Sequence, residues 1–132
     1  MKHYEGKRSY GQCFVTVDGR ALDPRFDLHM HSPDGFEWSY SGSGPAQLAL
    51  AMLADHLGDD QEALNLYQRF KWTVIAGLPR RGWTLNSRDI DQALETIRKE
   101  ALAGGASVRQ SGRAGGGANS RTRHRRYRRR PA

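Results

Sequence analysis

Residues 11–22, Gly-Gln-Cys-Phe-Val-Thr-Val-Asp-Gly-Arg-Ala-Leu, place extended, β-favouring residues on both sides of Asp18-Gly19. Asp-Gly supplies the two positive-φ positions of a type I′ turn, so the segment predicts a β-hairpin in which Val17 faces Arg20 and Val15 faces Leu22. Asp23-Pro24-Arg25 ends the second strand. Residues 36–40, Phe-Glu-Trp-Ser-Tyr, alternate three aromatics with Glu37 and Ser39, which is the period-two pattern of a half-buried strand. From residue 46 the pattern changes. Between Ala46 and Leu57 only Gln47, Asp55 and His56 are polar, so a helix apolar on nearly every face is expected there, as the central buried element.

Ser41-Gly42-Ser43-Gly44-Pro45 introduces that helix, with Pro45 expected at its first position and Ser43 or Gly44 as its cap. Gly58 suits a left-handed exit, and Asp59-x-x-Glu62 reads as an acidic capping box for a second helix. Ala63, Tyr67, Phe70 and Val74 form its core stripe, and Gly77-Leu78-Pro79 stops it. That stripe turns Trp72 away from the core, and an exposed Trp beside basic residues such as Lys71 would mark a contact surface. Trp83-Thr84-Leu85 predicts a short strand. Asn86 or Ser87 then caps a third helix, with Asp89 and Asp91 near its positive end and Ile90, Leu94, Ile97 and Ala101 facing inward. The expected fold class is α+β, a small antiparallel sheet made of the N-terminal hairpin plus one or two strands and covered by three helices.

Composition adds a division to this outline. The chain has 132 residues and a formal net charge of +7. Residues 1–103 hold 12 Lys and Arg against 14 acids, a net of −2, whereas residues 104–132 hold nine Arg and no acid. Beyond residue 103 only Val108 and Tyr127 are large and apolar or aromatic, too few to offset an ordering cost of about 1–2 kcal/mol per residue. The chain is therefore expected to comprise a compact domain at 1–103, a flexible Gly/Ser/Ala linker at 104–120 and a disordered Arg-rich tail at 121–132. One cysteine excludes a disulfide framework or a Cys-based zinc knot. No apolar run follows the N-terminal Met-Lys-His-Tyr-Glu, and the longest, residues 48–54, falls far short of a bilayer span. A cytoplasmic protein without a signal peptide or membrane contact is expected.

The block at residues 32–53, Ser-Pro-Asp-Gly-Phe-Glu-Trp-Ser-Tyr-Ser-Gly-Ser-Gly-Pro-Ala-Gln-Leu-Ala-Leu-Ala-Met-Leu, resembles a small prokaryotic and phage family, the domain of unknown function 6166. The likeness continues through Ala54-Asp55-His56-Leu57, residues 67–72 and residues 83–94, and so covers most of residues 4–100. The resemblance implies a family found on bacterial chromosomes and mobile elements and carries no assigned activity. A phage or mobile-element accessory protein that inhibits a host defence complex is one function it suggests. The Arg-rich tail is not a shared feature of the family.

The tail places seven Arg and His124 within residues 121–130, around Tyr127. Guanidinium groups pair bidentately with phosphates and stack on bases, so Arg121, Arg123, Arg125, Arg126, Arg128, Arg129 and Arg130 are candidates for nucleic-acid binding, with Tyr127 as a stacking residue. A flexible arm fixes no side chain in a groove, so binding without sequence preference is expected, to DNA or RNA. Within the domain, Glu37, Ser41, Ser43 and Gly44 surround the start of the first helix, whose outward N–H groups suit a phosphate or carboxylate. No P-loop Lys-Ser/Thr pair follows, and a capped strand-to-helix turn explains the same residues. His29 and His31, two apart with Asp27, Asp34 and Glu37 nearby, permit a metal set without requiring one, and Ser32-Pro33-Asp34-Gly35 reads as a turn. His56 suits the negative end of its helix. Cys13, inside the hairpin with no local base, reads as inert.

No nucleophile, base and orienting group fall together, and no metal or cofactor is implied. The sequence thus favours a non-enzymatic interaction protein whose tail holds nucleic acid while the domain docks a protein partner. The alternative from another class is a small-ligand binder or enzyme that gathers Glu37, Ser41, Ser43 and His31 at the first helix N-terminus.

Overall fold

Two tight turns shape the N-terminal third. Tyr10-Gly11 (φ 51° and 78°) and Asp18-Gly19 (φ 49° and 83°) both hold the left-handed pairs that let two-residue turns follow the twist of a hairpin. The structure is a computed structural model that describes the backbone of residues 1–107 and the side chains of residues 1–102. Its turns connect β1 (His3–Ser9), β2 (Gln12–Val17) and β3 (Arg20–Ala21) into an antiparallel meander. A fourth strand, β4 (Gly82–Asn86), returns to pair antiparallel with β1, giving the order β3-β2-β1-β4. The expected hairpin register holds: Val17 pairs with Arg20, and the Leu22 N–H donates to the Val15 carbonyl at 3.0 Å. β1 was not expected, and neither was its hairpin with β2.

One face of the sheet is the floor of the core. Tyr4, Val15, Val17 and Trp83 are buried on it, while His3, Lys7, Phe14 and Thr84 face outward. Position 6 lies in the inward phase of β1 and is glycine because the Trp83 indole occupies the space a side chain there would need.

The aromatic segment at residues 36–40 forms no strand, contrary to its alternation. Ser39 takes a positive φ of 76° and donates its N–H to the Ile75 carbonyl at 3.1 Å, which breaks the period-two path. Trp38 is fully buried, and its indole N–H donates to the Arg80 carbonyl at 2.9 Å.

The central helix, α1 (Ser43–Leu57), is buried from Gly44 to Ala54, as its apolar circumference predicts. Its start differs from expectation: Gly42 is the cap, with no side-chain bond, and Pro45 is the third helical residue. Packing decides this. A Cβ at Gly44 would stand 2.6 Å from Glu37 Cβ and one at Gly42 2.8 Å from the Tyr40 ring, so the backbone is drawn in where a capping side chain would not fit. Pro45 is tolerated because first-turn N–H groups have no partner within the helix. Gly58 provides the left-handed exit at φ 65°.

Asp59 caps α2 (Asp60–Thr73) by accepting the Glu62 N–H at 3.1 Å, and Ala63, Tyr67 and Phe70 are buried as expected. The helix ends at Thr73, followed by a 3-10 turn (Ile75–Gly77). Asn86 and Asp89 cap α3 (Ser87–Ser107) reciprocally: each side chain accepts the other's backbone N–H, at 2.9 and 3.0 Å. Ile90, Leu94 and Ile97 are its buried stripe, and its backbone runs four residues past the boundary expected at residue 103. The fold is α+β, a four-stranded antiparallel sheet with three helices, and no described helix is long and apolar enough to cross a membrane.

Candidate functional site

Tyr4, Gly6 and Arg8 share the inner phase of β1, so Arg8 enters the fold at the end of the sheet, opposite Cys13. Its guanidinium makes a forked pair with Glu37, Nη1 to Oε2 at 3.0 Å and Nη2 to Oε1 at 2.9 Å, and its Nε donates to the Arg80 carbonyl at 3.0 Å. The same carbonyl accepts the Trp38 indole N–H, and the guanidinium carbon lies 5.1 Å from the centre of the Trp38 ring. Trp38 in turn meets Trp83 edge to face at 5.5 Å. Arg8 therefore ties β1, the 36–40 segment and the loop before β4 into one network. Local pattern gave no hint of it, since Glu37 lies 29 residues away. The available signal was the inward phase that Arg8 shares with Tyr4.

The electrostatics follow from this pairing. Burial alone would raise the Glu37 carboxyl, but the Arg8 fork and the Trp38 N–H hold it below the usual carboxylate range. Cys13 is pushed up to about 11, first by burial and then by the Glu37 charge. Tyr40 is raised by the same two causes in the same order. At neutral pH this end of the sheet thus holds a carboxylate committed to Arg8 and a protonated thiol.

The residues expected around the first helix separate by role. Glu37 and Gly44 touch, but through the Glu37 stem, while its carboxylate goes to Arg8. Ser41 is buried, and Ser43 is exposed. His31 turns its ring to α2, with Nε2 2.7 Å from the Tyr67 hydroxyl. Gly35 N–H donates to the Ser32 carbonyl at 3.1 Å, closing the expected turn. His56 meets not its own helix carbonyls but Asp91 of α3, at 2.7 Å. Among the described residues no three His, Cys, Asp or Glu stand together as a metal set.

A second cluster lies at α2. His29 and His31 are 4.0 Å apart between ring centres, and Lys71 is buried with its ammonium 4.5 Å from the Trp72 ring. Trp72 itself is half-buried. The fully buried Gln47 side chain positions the histidine loop. It accepts N–H groups from His31 (2.7 Å) and Ser32 (3.1 Å) and donates to the carbonyls of Pro24 (2.7 Å) and His29 (3.0 Å). The candidate nucleic-acid residues, Arg121 to Arg130 with Tyr127, lie outside the described residues.

The model of a family of unknown function, DUF6166, matches residues 4–96. No curated protein and no solved structure matches the chain.

Proposed function

Starting from a chain that belongs to the DUF6166 family of unknown function, we propose a non-enzymatic interaction protein that holds nucleic acid through its Arg-rich C-terminal segment while the folded domain docks a partner. The observation that carries this reading is the division of charge: nine Arg and no acid in residues 104–132, against a net of −2 in residues 1–103. The guanidinium groups of Arg121, Arg123, Arg125, Arg126, Arg128, Arg129 and Arg130 neutralise phosphates, and Tyr127 stacks on an unpaired base. The arm raises the local concentration of the domain near nucleic acid, and specificity belongs to the folded part. A binding rather than a catalytic role for the domain is favoured by three of its candidate reactive side chains being engaged within the fold. Glu37 is held by Arg8, His56 by Asp91, and Cys13 keeps its proton.

The test compares the full chain with a variant in which all seven of those Arg are Gln, by fluorescence anisotropy on a labelled duplex across salt concentrations. The native chain should give a log K against log salt slope of roughly −4 to −6, for five to seven neutralised phosphates. The variant should lose binding. Equal affinity and equal slope for the two chains would refute the proposal.

A further inference from the structure

Sheltered basic side chains in this fold are matched to carboxylates: Arg8 to Glu37, Arg25 to Asp27 and Asp60, Lys2 to Asp55, and His56 to Asp91. Lys71 breaks the pattern. Only 9% of the residue is exposed, yet no carboxylate among the described residues pairs with its ammonium. Its neighbours are instead basic or aromatic: the Trp72 ring at 4.5 Å and, through Tyr67 one helical turn earlier on α2, His31, which the Tyr67 hydroxyl holds at 2.7 Å and whose charge Lys71 opposes. His31 thus stands between Lys71 on α2 and His29 on its own loop, and no carboxylate among the described residues is paired with any of the three.

Gathering like charges beside buried surface is unfavourable unless something of opposite charge joins them. The loop that carries the histidines is nonetheless clamped in place, because Gln47 ties down its backbone at Pro24, His29, His31 and Ser32. We propose that His29, His31 and Lys71 form a binding site for a phosphoryl oxyanion, with Gln47 and Tyr67 as positioning residues. A phosphoryl group suits it better than a carboxylate, since three nitrogen donors meet a tetrahedral group with several oxygens and close to two negative charges. The site does not depend on the C-terminal arginines.

The groups facing His31 are His29 on its own loop, Tyr67 and Lys71 on α2, and the neutral Gln47 on α1. Burial, then His29, then Lys71 lower the affinity of His31 for a proton, and burial lowers that of Lys71. A bound dianion reverses the charge effect, so binding takes up protons and weakens as pH rises through the midpoint of ligand-bound His31.

The experiment records ring spectra of the histidines in the full chain by long-range ¹H–¹⁵N NMR, at constant ionic strength with chloride as the reference anion. Inorganic phosphate, a 5′-mononucleotide and a short oligonucleotide are titrated separately, and the one that moves the His29 and His31 rings at lowest concentration identifies the source of the phosphoryl group. The expected result is movement of those two rings with His56 unmoved, and a higher His31 midpoint at saturation. Lys71→Met should weaken binding about tenfold, as for the loss of one charge-assisted contact. Because the Lys71 stem is packed, His29→Gln at an exposed position provides a second variant with the same expected direction. The chain with the seven tail Arg replaced should retain the ring movements, which separates this site from the arm. Still rings under all three probes, equal movement in both variants, or movement confined to His124 would overturn the proposal.

Discussion

Replacing Gln47 by Leu keeps the side-chain volume of a fully buried position in α1 and removes four hydrogen bonds to the loop at residues 24–32. Each bond contributes about 0.5–1.5 kcal/mol net, which brackets the loss at about 2–6 kcal/mol. Pro24, His31 and Ser32 are half-buried and His29 is exposed, so water can reach part of the freed backbone and the lower half of that range applies. We take about 3 kcal/mol, which for a domain of this size lowers the melting temperature by about 14 °C. Gln47→Glu sharpens the test, because it sets an oxygen where the amide donated to the Pro24 and His29 carbonyls. That carboxyl stays protonated more readily in the fold than in the unfolded chain, so the variant loses stability as pH rises above about 4.3, whereas Gln47→Leu shows no such added slope. Thermal unfolding by circular dichroism at pH 4 and pH 7 measures both. A Gln47→Leu chain within about 0.5 kcal/mol of the native one would refute the claim that this side chain holds the loop.

Glu37→Gln should cost about 1–2 kcal/mol at pH 7 in urea unfolding, because Arg8 keeps a neutral partner in place of a charged one. The folded Glu37 carboxyl lies below its usual range, so its contribution is present above about pH 4.3 and lost as pH falls through its folded value; the gap between native and variant should narrow as pH is lowered from about 4.3. Trp38→Phe should destabilise more than Trp83→Phe by about 1 kcal/mol. Trp38 gives up its bond to the Arg80 carbonyl, whereas the buried Trp83 indole N–H has no partner among the described residues. Unfolding midpoints of the two variants check the order. Cys13, with its thiol near 11, should react with a thiol-specific disulfide reagent at pH 8 roughly a hundredfold more slowly than a free cysteine, and should match it once urea unfolds the chain.

The parts of the fold that were legible in the sequence are those whose signal is local. Asp18-Gly19 determines its own turn, Asp59 and Asn86 cap the helices that follow them, and the stripes Ala63-Tyr67-Phe70 and Ile90-Leu94-Ile97 mark their own inner faces. β1 was missed because two of its inward positions are Gly6 and Arg8. Their fitness for the core depends on Trp83 and Glu37, which the fold brings in from far along the chain. The aromatic alternation at residues 36–40 misled for a related reason: Trp38 and Ser39 answer to Arg80 and Ile75 rather than to a neighbouring strand. Of the candidate site, the histidine pair and the lone Gln47 in an apolar helix were visible. The absence of an acid opposite Lys71 was not, because it is a property of the packed structure.

Nucleic-acid binding by the chain truncated after Ser107, set against the full chain at low and physiological salt, addresses the division of labour most directly. The account predicts that the truncated chain melts within a degree or two of the full one and yet fails to bind a labelled duplex at concentrations where the full chain saturates it. Undiminished binding by the truncated chain, or its failure to fold, would contradict the account.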